Sequence, residues 1–196
     1  MDEALRLARL IARAGTWFGG ILVALAAVLI SVDVLMRKFL GVPLGGSTEY
    51  SGYILGIGSA WALALALLDR AHVRIDSLYM LAPARLCALL DILALGAFMV
   101  FGALATWQGA LVFQQSWAVS ARSLTPLETP LAVPQFLWVA GFAMFFAVLV
   151  LLLVRAVIIV FTGRAEDVQR LIGPRTVQQE LAEAIEEHSR YRAPQA

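Results

Sequence analysis

Residues 129–154 read TPLAVPQFLWVAGFAMFFAVLVLLLV, 26 positions between Glu128 and Arg155 without a charged side chain. A helix needs about 20 mostly apolar residues to cross the hydrocarbon core of a bilayer. Working outward, Ile92 to Ala121 gives 30 such residues and Tyr50 to Leu68 gives 19. Thr16 to Val32 gives 17, and extending it to Met36 admits only Asp33. Of the 196 residues, 61% are hydrophobic and 15% charged, whereas a soluble domain is about half apolar with roughly a quarter of its residues charged. The excess apolar surface calls for lipid as its solvent. The sequence therefore predicts an all-α, polytopic membrane protein with four transmembrane helices, at about 15–36, 49–68, 87–113 and 134–161.

A cleaved signal peptide is the alternative reading of the first run, which follows Arg6, Arg9 and Arg13. The run exceeds the 7–15 apolar residues typical of a signal core and no small-x-small cleavage site follows it, so it is read as a retained helix. Orientation comes from the basic residues. With the N-terminus inside, the cytoplasmic segments hold twelve Lys or Arg and the external ones three: Arg37, Lys38 and Arg122. Cytoplasmic loops carry the basic excess, which predicts both termini inside. Residues 1–14 place Arg6, Arg9 and Arg13 on one helical face, as a basic amphipathic segment lying on the leaflet or running into helix one. Residues 163–196 form a cytoplasmic tail broken at Gly173–Pro174. Beyond the break Val177, Leu181, Ala184 and Ile185 recur at helical spacing, as in a short cytoplasmic helix packed on a partner, with a frayed, solvated tail as the alternative.

The loops carry the charges. RKFLGVPLGGSTE at 37–49 holds glycines and a proline that break structure, and Ser47 or Thr48 can cap the next helix. Asp33 and Arg37 are spaced for an i, i+4 pair with the acid first, and Glu49 opens helix two, where the macrodipole favours an anion. Asp33, Arg37 and Glu49 read either as a polar cluster lining a solute or ion path, or as an interfacial set fixing helix one against helix two. DRAHVRID at 69–76 puts His72, Arg74 and Asp76 at alternating positions. A metal site there lacks further ligands and carries two arginines, so the segment reads as a self-paired turn at the headgroups. Asp91 is read as interfacial, beside Arg85, with burial in the bundle as the alternative. In the second external loop, Gln114 to Pro134, the prolines forbid a helix until Pro134, which suits a first turn. Trp107, Trp117 and Trp138 fit an aromatic belt, with a substrate cage as the alternative. Gly15 and Gly19, and Gly52, Gly56 and Ala60, form small-residue rows that allow close helix approach in lipid.

Much chemistry is missing. Cys87 is the only cysteine, so an intrachain disulfide and a Cys-x-x-Cys site are excluded. The two histidines, His72 and His188, lie outside the spans, and no Gly-x-Ser-x-Gly, His-Glu-x-x-His or P-loop motif occurs. The middles of all four spans are apolar, whereas carriers build midplane sites from broken helices or buried charges. No enzyme activity, cofactor, metal or nucleic-acid partner is expected, and the lipid bilayer is the evident environment.

Taken together, Arg37 closing helix one, the Gly/Pro turn, Glu49 opening helix two, HVRID at 72–76 with Leu78 and Pro83, SLTP at 123–126 and VPQFLW at 133–138 resemble one family. It is the small membrane subunit, DctQ type, of tripartite ATP-independent periplasmic (TRAP) transporters, and the resemblance covers roughly residues 10–162. It implies a bacterial or archaeal inner membrane, a large membrane subunit of DctM type, and a periplasmic substrate-binding protein. It also implies sodium-coupled import of organic acids, with substrate and sodium carried by the large subunit and this chain as fixed scaffold. On that resemblance Asp33, Arg37, Glu49, His72, Arg74, Asp76, Pro134 and Trp138 are structural or interface groups and not substrate ligands. The competing reading is a small self-assembling exporter that uses Asp33, the one acid well inside a predicted span. A membrane enzyme would need a catalytic pair built on His72 or Cys87.

Overall fold

The computed structural model describes residues 2–70 and 84–161. Among the described residues there are four helices and no strand: α1 (Asp2–Leu40), α2 (Ser47–Leu68), α3 (Ala84–Ala118) and α4 (Ala132–Phe161). All four are long and apolar enough to cross a membrane. HVRID at 72–76, and with it His72, Arg74 and Asp76, lies outside the described residues, as does the tail with its expected helix.

α1 is continuous. Its 39 residues, at about 1.5 Å each, reach roughly 58 Å, well beyond a hydrocarbon core of about 30 Å. The basic segment is therefore the first turns of the spanning helix and does not bend away from it. Ala8 and Ala12 are buried with Ala64, Leu67, Leu152 and Ala156, so this segment stands against α2 and α4. At the same end, the Arg9 guanidinium donates to the Leu68 carbonyl at 3.2 Å and lies 3.8 Å from the Asp69 carboxylate. This end is called the base below. The opposite end, carrying residues 41–46 and 119–131, is called the rim.

The helices do not close into a ring. α2 packs on α1 and on α4, α4 packs also on α3, and α1 makes slight contact with α4. Glycines set the closest approaches. A Cβ on Gly19 would stand 2.8 Å from Cα of Gly58, and one on Gly141 would stand 2.9 Å from Cβ of Ala60. The small-residue rows thus serve close approach as their spacing predicts, except at Gly52. Gly15 and Gly19 meet Trp61 and Gly58, Ala60 meets α4, and Gly52 has nothing within 4 Å of a built Cβ. Phe145, Val148 and Leu149 of α4 are fully buried, and Phe98 of α3 meets Phe145 edge to face at 6.5 Å.

Asp91, on the third turn of α3, is buried at 2% exposure, the enclosed one of the two placements the sequence left open. The second loop is shorter than Gln114–Pro134, because α3 continues to Ala118. It ends there in a Schellman motif: Ala121 N–H donates to Ser116 O at 2.8 Å and Ser120 N–H to Trp117 O at 3.2 Å. Ser120 takes the left-handed position, φ 48°, usually held by glycine.

Candidate functional site

Of the polar residues singled out in the sequence, Asp33, Arg37 and Glu49 lie at the rim, in two separate knots. In the first, Asp33 is 3% exposed and accepts three hydrogen bonds. Leu44 N–H donates to Oδ1 at 2.8 Å, the Ser47 hydroxyl donates to Oδ2 at 2.9 Å, and the Arg37 guanidinium donates to Oδ2 one helical turn on. One carboxylate so ties together the end of α1, the 41–46 turn and the start of α2. A buried carboxylate is costly unless its lone pairs are filled, and this one is filled from the three segments it joins.

This alters the cap of α2. Neither Ser47 nor Thr48 caps the helix: the N-cap is Gly46, in the left-handed region at φ 79°, with no side-chain cap bond. The Ser47 hydroxyl is spent on Asp33, a charge-assisted bond stronger than a neutral one. Gly46 also faces the Leu127 side chain of the second loop, so the two loops meet at this residue.

The second knot is centred on Glu49. Its Oε1 accepts from the Tyr53 hydroxyl at 2.9 Å and its Oε2 accepts from the Thr125 hydroxyl. Thr125 shares a hydrogen bond with Ser123 at 2.9 Å. Ser123 exchanges backbone and side-chain bonds with Thr129, each at 3.0 Å. Arg122 reaches the Glu128 carbonyl at 3.1 Å, and Leu131 N–H donates to Ala121 O at 3.0 Å. The 119–131 loop is thus a closed, self-bonded loop hooked onto α2 through one glutamate. Asp33 and Glu49, grouped together by proximity in sequence, serve different partners. Tyr53 was legible at i+4 from Glu49. Thr125 was not, because it meets Glu49 across 76 positions and no spacing rule spans that.

Pro134 lies in the first turn of α4, where its missing N–H has no helical partner to lose. Trp138 is half-buried among the helices. Its ring stands edge to face with Phe142 at 5.0 Å and fills the space left by Gly109 of α3 and Gly56 of α2. Trp107 and Trp117 are by contrast exposed on α3. Beside Trp138, Pro134, Gln135, Tyr53 and Gly56 line a cavity of about 190 Å³, mostly apolar and well short of a drug-sized pocket. A further bridge went unread in the sequence: Trp61 Nε1–H donates to the Leu137 carbonyl at 3.0 Å, joining α2 to α4. Among the described residues no group of His, Cys, Asp and Glu could hold a metal.

The family model of the tripartite ATP-independent periplasmic transporters, DctQ component, matches residues 6–158. The chain belongs to the DctQ family. The match begins at residue 6, so it takes in most of the basic segment that the sequence resemblance left out and that α1 incorporates. DctQ chains are transporter components and not enzymes, and four spanning-type helices make this one a multi-pass membrane protein. No curated protein and no solved structure matches the chain.

Proposed function

We propose that this DctQ chain is the scaffold subunit of a TRAP transporter. It lies in the bacterial inner membrane with the base and both termini cytoplasmic and the rim periplasmic. It holds a large DctM-type subunit that carries organic acids with sodium, delivered by a periplasmic binding protein. The observation that carries this reading is the use made of the rim carboxylates. Asp33 and Glu49 are committed to hydrogen bonds that fasten loops to helices, and the described middles of the spans are apolar. An ion-coupled carrier needs groups that exchange partners during the cycle. The distribution of basic residues supports the orientation.

Further support comes from the exposed apolar faces. Ile21, Leu25 and Val28 on α1, and Val100, Phe101 and Leu104 on α3, are each more than half exposed, so the open row of helices offers two broad faces to lipid or to a larger membrane chain. Co-expression with the large subunit and affinity purification through this chain test the reading. The expected result is a stoichiometric complex whose uptake per assembled complex is unchanged by Asp33→Asn. Loss of uptake in an intact Asp33→Asn complex would return the coupling role to Asp33 and favour the exporter-like alternative.

A further inference from the structure

Two cavities at the rim adjoin along the α1–α2 seam, and they differ in chemistry. The upper one, about 480 Å³, is lined by Arg37, Lys38, Ser47, Thr48 and Ser51 beside Asp33. The lower one, about 370 Å³, is lined almost wholly by apolar groups, among them Val23, Ala27, Ile30, Ile54 and Leu55. Ile30, Thr48 and Ser51 line both, so the polar pocket opens into an apolar groove running along α1 and α2 toward the middle of the span.

The charge in the upper pocket is positive on balance. Asp33 offsets one of the two cations, and an arginine bound to a carboxylate through one nitrogen keeps further N–H donors, five being available in all. The Arg37 side chain is 59% exposed. Lys38, whose ammonium carries three donors, lies 5.6 Å from the Phe39 ring centre. The Thr48 hydroxyl lies in the first turn of α2, where the dipole favours an anion, while the Ser51 hydroxyl is held by the Thr48 carbonyl at 2.9 Å. A ligand that suits both halves carries a phosphate and a hydrocarbon chain on one molecule.

We propose that the α1–α2 seam binds an anionic phospholipid from the rim-side leaflet, its phosphate against Arg37 and Lys38 and one acyl chain in the groove past Ile30 and Ala27. The occupant is lipid and not free phosphate because the polar pocket opens into a groove that only a chain would fill. The site pins the leaflet to the part of the fold already fastened by Asp33, and it does not depend on what the assembled transporter carries.

Native mass spectrometry of the full-length chain, released from detergent after exchange into equal phosphatidylglycerol and phosphatidylcholine of identical acyl chains, tests this. The wild type should retain phosphatidylglycerol in preference, at a one-to-one stoichiometry. Lys38→Gln should lower the preference about fivefold, the weight of one basic side chain at an anionic headgroup. Ala27→Phe, which fills the groove from an exposed position, should abolish retention of the lipid while the circular dichroism spectrum is unchanged. Equal retention of the two lipids, or wild-type behaviour in both variants, would overturn the proposal. So would displacement by millimolar inorganic phosphate, which would make this a free-phosphate site. Loss of the lipid when the large subunit is added would likewise overturn it, giving the groove to the partner's helix.

Discussion

The rim and the middle of this molecule are held by opposite means. At the middle, helices approach until backbones touch: Gly19 meets Gly58, and Gly141 meets Ala60. Lipid offers no hydrophobic drive for helix association, so close packing of small residues supplies the attraction. At the rim, two carboxylates gather hydroxyls and backbone N–H groups from loops that would otherwise leave the ends of the helices unconnected. The contrast separates two ways of joining helices: close packing of small residues at the middle, and carboxylates bonded to loops at the rim.

The comparison breaks first, and with the largest effect, at Gly19. Gly19→Val places a side chain onto the backbone of α2, and neither helix can yield without separating. Overpacking costs about 1–3 kcal/mol where side chains can shift, and more is expected here because the opposing atom is a backbone Cα. Thermal unfolding in detergent should show loss of a cooperative transition, whereas Gly52→Val, with open space around it, should retain one.

Next comes Asp33→Ala. It strands the Leu44 N–H and the Ser47 hydroxyl, at about 2–3 kcal/mol for buried donors left unsatisfied. Proteolysis within residues 41–46 should accelerate, while the α3–α4 contacts stay intact by cysteine crosslinking. Glu49→Gln keeps the shape and removes the charge. Bonds to charged acceptors are worth roughly twice neutral ones, so about 1 kcal/mol should be lost, with faster amide exchange confined to residues 121–131. If Glu49→Gln loosens the 41–46 turn equally, the two knots are one unit and the division drawn here fails. The smallest effect is a gain. Ser120→Gly relieves a left-handed serine and should stabilise by about 0.5–1 kcal/mol, seen as a slight rise in Tm.

The helices were legible because four uncharged runs leave no other reading in lipid, and the i, i+4 spacing of Asp33 and Arg37 showed one bond of the first knot. What the sequence concealed was long-range. Glu49 finds Thr125 across the fold, Trp61 finds the Leu137 carbonyl, and Trp138 turns inward because two glycines on other helices make room for it. Local pattern also misled where two roles competed for one group. Ser47 has the right residue type for a helix cap, yet a buried charge outbids the cap for its hydroxyl. Asp91 showed that an acid near a helix start can be enclosed by the fold as well as rest at its surface.

Reconstitution in proteoliposomes tests the central claim most directly, that this polypeptide supports transport without performing it. Sodium-driven uptake of organic acids should be absent with the purified chain alone and should arise only when the large membrane subunit and the binding protein are added. Uptake by the chain alone, dependent on the sodium gradient and abolished by Asp33→Asn, would contradict the account.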